Sequence, residues 1–270
     1  MSRFALSLSS ICIVFALGAG PVAAQLQDVE WNESLNLIAN PDSMYSQTGS
    51  DPAIPEPLSG MLAGSGYSIG GSVTFASGAP NVTSDVQGSY QSGLFYLEGS
   101  AYGRIDFEFA VRLVTTPPIS VSSVPVNVHV QGTAGVTGNG DLFAAAWSSV
   151  NIATGSGPLG GWMVQVDNSS GQTTDNFNES PQYQLAPDTV VFGDKTASAS
   201  IQGEGLVPGS SATATAWVDP IIEIADEPIP GGGGASYRDF FDIEFADGYA
   251  ALDELAIQDA TWEEIKQLYR

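Results

Sequence analysis

Cysteine, histidine and basic side chains are scarce in this 270-residue chain: one Cys, one His and 7 Lys+Arg. Each scarcity closes off a class of chemistry. Cys12 falls in a leader-like first segment, so the remainder can form no disulfide. With His129 alone and no later cysteine, the nitrogen and sulfur ligands of zinc and copper sites are missing. Seven cations against 30 Asp+Glu give a formal net charge of −23. That is the opposite of the basic footprint that phosphate backbones require, so nucleic acid is excluded as a partner. The same balance disfavours anionic membrane surfaces and suits cations, or basic and neutral molecules. No later stretch reaches the ~20 apolar residues of a membrane-spanning helix, so no transmembrane anchor is expected in the mature chain.

Glycine and turn signals, by contrast, are plentiful. Gly 31 and Pro 16 with only 14% charged residues suit a turn-rich all-β protein. Residues 1–24 read as a secretory signal peptide: Arg3 supplies the positive start, Ile11–Leu17 the short apolar run, and Pro21-Val22-Ala23-Ala24 the small residues before a cut at Gln25. Losing Arg3 with it leaves 6 basic residues against 30 acidic ones, a mature charge of −24. The expectation is an exported protein, secreted or held at the cell surface.

Residues 25–66 form a polar, proline-punctuated segment in which Trp31 and Leu35–Ile38 could make one edge strand. Residues 67–248 carry the β pattern. The cleanest strand is Arg104–Leu113, with Ile105, Phe107, Phe109, Val111 and Leu113 on one face and Arg104, Asp106, Glu108 and Arg112 on the other. Val124, Val126, Val128 and Val130 alternate in the same way, and Pro125 marks a strand start or an edge. Asn168–Pro187 reads as a long polar loop. Within Ser210–Glu227, Ala212, Ala214 and Ala216 alternate with Thr213, Thr215 and Trp217; Asp219-Pro220 is expected to break this run into two strands. A last strand is expected near Tyr237–Phe245. About nine or ten strands at this spacing predict an antiparallel β-sandwich or jelly-roll-like domain. Residues 249–270 make a linker and a short amphipathic helix, opened by the capping box Thr261-Trp262-Glu263-Glu264.

Catalytic candidates are few. Gly66-Tyr67-Ser68-Ile69-Gly70 has the spacing of a nucleophile elbow, but a strand rather than a helix follows it, and His129 on the polar face of its strand reads as a solvated side chain. No catalytic, cofactor-binding or metal-ligating residue is assigned. Structural calcium needs only oxygen ligands. Asp219 and Asp226, with Glu223 and Glu227, and Asp239, Asp242 and Asp247, with Glu244, cluster in sequence but lack a calcium-loop spacing. Trp147, Trp162 and Trp217 would stack on sugar rings if exposed and fill the core if not. A carboxylate-pair glycoside hydrolase is a further alternative, since such enzymes need two acids at a set separation.

Ala212-Thr213-Ala214-Thr215-Ala216, followed by Asp219-Pro220-Ile221-Ile222-Glu223-Ile224 and a strand near Phe240–Phe245, resembles bacterial secreted β proteins of the kind often carrying PEP-CTERM sorting signals. Val124-Pro125-Val126-Asn127-Val128 after a long charged-alternating strand fits the same pattern. The resemblance spans about residues 67–248 and implies an exported β-sandwich without enzymatic activity. The chain departs from that class at its end, which lacks the Pro-Glu-Pro box, membrane helix and basic terminus; Pro55-Glu56-Pro57 lies near the wrong end. The expected function is therefore a non-enzymatic cell-surface or extracellular-matrix component, with a surface or matrix protein or a polysaccharide as partner and Thr261–Arg270 as a docking or sorting tail. A carbohydrate-binding module is the alternative.

Overall fold

Strict inside–outside alternation runs through most of the long strands, and it builds two facing antiparallel sheets. The computed structural model describes residues 25–39, 43–50, 57–75, 82–92 and 96–246. The expected signal peptide, Asp247 and the tail Thr261–Arg270 lie outside the described residues. The strands are β1 (Glu30–Ala39), β2 (Met44–Gly49), β3 (Leu58–Gly64), β4 (Tyr67–Phe75), β5 (Val82–Tyr90), β6 (Tyr96–Leu113) and β7 (Val124–Asn139). They continue with β8 (Phe143–Thr154), β9 (Gly157–Asp167), β10 (Thr174–Glu179), β11 (Gln182–Leu185), β12 (Val190–Glu204), β13 (Ser211–Ile224) and β14 (Phe241–Phe245). A short 3₁₀ turn, Tyr237–Asp239, precedes β14 and is closed by a capping box between Ser236 and Asp239.

The first sheet runs β2-β1-β6-β12-β8-β9, and the second runs β10-β7-β13-β5-β4-β3. Two strands are long enough to serve two neighbours on one side. Along β6, β1 pairs with Leu97–Asp106 and β14 with Phe109–Leu113. Along β7, β10 and β11 divide the strand in the same way. Every pairing is antiparallel, so one face of each sheet meets the core and the other is left to solvent.

Several sequence expectations need correction. Glu30–Ala39 is no edge strand: it lies between β2 and β6, with Leu35, Leu37 and Ala39 buried. With β2 and β3, residues expected to be polar segment contribute three strands to the sandwich. Asn168–Pro187 is not simply loop, because β10 and β11 pair there with β7; polar residues on an edge strand leave no hydrophobic period to read. Asp219-Pro220 does not break β13. The described ladder to β5 ends at Val218–Val82, while pairing with β7 continues through Asp219–Gln131 and Pro220–Val130. Proline is tolerated in a strand where its nitrogen does not face the partner it pairs with.

The sheets interlock through missing side chains. A Cβ on Gly103 of β6 would lie 2.6 Å from Val82 Cγ1 and 2.8 Å from Val73 Cγ1 of the opposite sheet. In the other direction, a Cβ on Gly88 of β5 would run into Ile201 Cδ1. Buried alanines (Ala197, Ala199, Ala212, Ala214, Ala216) thin the layer around these sockets. Overpacking one of them tests this account. Gly103→Val forces two stiff β-branched side chains apart and is expected to cost about 1–3 kcal/mol. Gly155→Ala, which meets nothing within 4 Å, is expected to leave the urea midpoint nearly unchanged.

Candidate functional site

The outer face of the first sheet carries the densest chemistry. Register places Glu30 (β1), Asp106 (β6), Asp194 (β12) and Asn151 (β8) side by side in one row. Three carboxylates directly opposite one another on neighbouring strands repel, so the row requires compensation. Arg104 provides it from the same face of β6. Its Nε lies 3.0 Å from both Asp106 oxygens, and its Nη2 donates to Oδ1 at 2.6 Å. That bond, with the Asp106 and Asp194 charges, holds the guanidinium above its ordinary range. Asn151 Nδ2 donates to Asp194 at 3.2 Å, and the Gln27 backbone amide donates to Glu108 at 2.8 Å. The row borders an open depression of about 290 Å³ whose lining includes Asp28, Glu108 and Phe192.

Two rows further along the same face, Ser34, Tyr102, Ser198, Trp147 and Gln165 lie abreast on β1, β6, β12, β8 and β9. Tyr102 and Trp147 are half-buried and stand two strand spacings apart, about 9.5 Å between backbones. Arg104, Thr196 and Ser149 fill the row between this one and the carboxylates. Aromatic rings, hydroxyls and carboxylates on one open face can stack on the C–H side of a sugar and bond its hydroxyls. The other sequence-predicted tryptophans do not join them. Trp162 packs against the core, and Trp217 stands half-buried on β13 of the other sheet.

The calcium candidates are dispersed among other partners. Glu223 pairs with Arg238 at 3.1 Å, Glu227 accepts from Gln182, and Asp226 accepts from Ser236. Asp239 caps the 3₁₀ turn, Asp242 accepts from the Ile243 amide, and Glu244 pairs with Arg112. Among the described residues, no three His, Cys, Asp or Glu side chains converge as a bound metal ion requires. Ser68 bonds Ser89 at 2.9 Å near one end of the second sheet. His129, at the far end of β7 from that row, contacts Ser180 through Nδ1 at 2.6 Å. The elbow-like serine and the histidine are therefore not brought together.

The sequence reading missed two buried ionisable groups. Glu33, 4% exposed, points into the sandwich beside Gly49, and its Oε2 has no hydrogen-bond partner among the described residues. Lys195, fully buried on β12, lies with its Nζ 5.8 Å from the centre of the Phe107 ring. Parity was the available signal. Glu33 shares the inward face of Leu35 and Leu37, and Lys195 that of Ala197, Ala199 and Ile201. Burial pushes Glu33 up from 4.5 to about 7 and Lys195 down from 10.5 to about 7, the charge of Asp219 opposing the lysine shift. Asp219, 5% exposed, is itself raised by burial, against the charges of Lys195 and His129. A glycosidase needs a carboxylic acid kept protonated. The carboxyls that burial raises, Glu33 between the sheets and Asp219 on β13 of the second sheet, both lie away from the acidic row.

No protein-family model matches the chain, and no curated protein matches it.

These shifts dictate a pH dependence. Between pH 4.5 and about 7 the unfolded chain releases the Glu33 proton while the folded chain keeps it, so this contribution to stability falls as pH rises. Between about 7 and 10.5 the unfolded chain holds the Lys195 proton that the folded chain has released, so that contribution grows as pH rises. Calorimetry should show the melting temperature of Glu33→Gln gaining on wild type from pH 4.5 to 7 and holding that lead above it. The advantage of Lys195→Met should grow as pH falls from 10.5 to 7.

Proposed function

We propose that this chain is an exported, non-catalytic β-sandwich that serves as a cell-surface or extracellular-matrix component and works through its open sheet faces. One observation carries the reading: the polar groups of the acidic face bond one another along and between strands instead of converging on a point. Arg104 holds Asp106, Asn151 holds Asp194, and the Gln27 amide holds Glu108. An active site aims its groups at a reacting atom; a contact surface spreads them. The leader at residues 1–24 and the amphipathic tail at Thr261–Arg270 belong to the same proposal, the first for export and the second for docking or sorting. Deleting residues 261–270 is expected to release the protein from its cell-surface or matrix fraction into the medium. Unchanged fractionation would remove the tail from the proposal.

A carbohydrate-binding role is the second reading, favoured by the row that sets Tyr102 and Trp147 abreast with Ser198 between them. Neutral and basic polysaccharides suit this face better than acidic ones, because the carboxylate row lies beside it. A glycan array is expected to show binding that Trp147→Ala weakens about tenfold or more, as for a central aromatic anchor. Trp162→Phe, at a core-packed position, should leave it intact. Binding that survives loss of both Tyr102 and Trp147 would count against this face.

A further inference from the structure

The two sides of the sandwich are guarded very differently. On one side the edges are β9, which carries Pro158, a register shift near Ile152/Ala153 and a terminal Asp167, β10, which carries Asp175 and Glu179, and β11, which is only four residues long. Proline, irregularity and charge are the usual devices that stop an exposed edge from pairing. On the other side the edges among the described residues are β14, which carries Asp242 and Glu244 and covers only the end of β6, and then β2, Met-Tyr-Ser-Gln-Thr-Gly, and β3, Leu-Ser-Gly-Met-Leu-Ala-Gly. Neither of these last two has a charge or a proline, in a chain with 30 Asp+Glu. The two edges also sit together. Tyr45 of β2 donates its hydroxyl to the Ser59 carbonyl of β3 at 2.8 Å, and its ring occupies the space a Cβ on Gly60 would need.

That hydrogen bond fixes the direction of the β3 backbone. The Ser59 carbonyl points away from β4, and antiparallel alternation then turns the amides and carbonyls of Met61 and Ala63 outward as well. Met61, 67% exposed, projects beside this edge, and Met44 at the start of β2 is 72% exposed.

We propose that β3 is the seam at which two copies of this chain join, antiparallel about a two-fold axis, with Met61 opposite Met61 and Ser59 opposite Ala63. Such an edge is complementary to itself, because the spacing of its donors and acceptors is unchanged by the two-fold rotation, and the Ser59 carbonyl that accepts from Tyr45 keeps a second lone pair for the Ala63 amide of the other copy. Charge selects a second copy as well. Two chains of net charge −23 repel over most of their surface, and the uncharged strands β2 and β3 are, among the described edges, where they approach at least electrostatic cost. The opposite side is guarded, so the association closes at a dimer and does not propagate into a fibre. A seven-residue edge backed by its neighbour spans about 20 Å by 20 Å, roughly half of the ~800 Å² per partner of a standard interface, so the dimer is a weak, concentration-dependent one.

Sedimentation equilibrium over a wide concentration range reads this directly, using the chain with its tail intact. Wild type is expected to pass from monomer to dimer. Met61→Lys places like charges opposite each other at the axis, and Ala63→Pro removes an outward amide without touching the β4 ladder; each is expected to weaken association at least tenfold. Circular dichroism identical to wild type would confirm that both variants fold. Mixing Met61→Lys with Met61→Glu should restore association between the two variants, a rescue that only face-to-face Met61 positions give. A wild type that remains monomeric throughout, or a dimer that both variants leave intact, overturns the proposal.

Discussion

The structure depends on fitting two sheets together with no disulfide among its strands. Without a covalent tie, the layers are held by the area they bury and by how closely they approach. Gly103 receives Val82 and Val73, and Gly88 receives Ile201. Leu35 reaches Gly71 in the same manner, so sockets occur on both layers. Alanine at Ala197, Ala199, Ala214 and Ala216 keeps the separation small around these contacts. A core of this design has little room for polar chemistry, so Glu33 and Lys195 stand out within it. Each has its charge state decided by burial rather than by solvent.

Chemistry is therefore displaced to the outer faces, where it takes the geometry of the sheet. Side chains stand in rows set by the strand spacing, so like charges meet like charges unless a neighbour intervenes. Arg104 acts as that neighbour on the first sheet, and Arg112 does the same near the end of β6 by pairing with Asp188 at 2.9 Å and with Glu244. With so few cations in the chain, placing two of them on one strand is a large share of its positive charge. The acidic face is thus held in shape by its few basic residues.

Much of this was readable in the residues. The alternation from Ile105 to Val111 gave the orientation of β6, though Leu113, expected on the core face, is 50% exposed at the strand end, and the valines of β7 and alanines of β13 gave theirs. Reading failed where the signal is physically absent. Strands β2, β3, β10 and β11 are edges with one solvated flank, so their polar and small residues carry no hydrophobic period. Pro220 misled because a local rule about lost donors ignores which ladders a strand still has to satisfy. The aromatic row escaped for another reason. Tyr102 and Trp147 are far apart in sequence, and only the registers of β6, β12 and β8 bring them abreast. The tryptophans looked alike as letters, but parity separates Trp162, turned to the core, from Trp147, turned away.

The glycine sockets have a consequence for how the chain finds its pairing. Alternation of apolar and polar residues rejects a strand that slips by one position, because every side chain would change faces. It is blind to a slip by two, which restores the same pattern. A pocket opposite a bulky side chain is not blind to it. Shifted by two, Ile201 would face a residue with a side chain instead of Gly88, and Val82 would lose the vacancy at Gly103. The empty positions thus work as a check digit on strand register, rejecting the mispairings that hydrophobic patterning alone would accept.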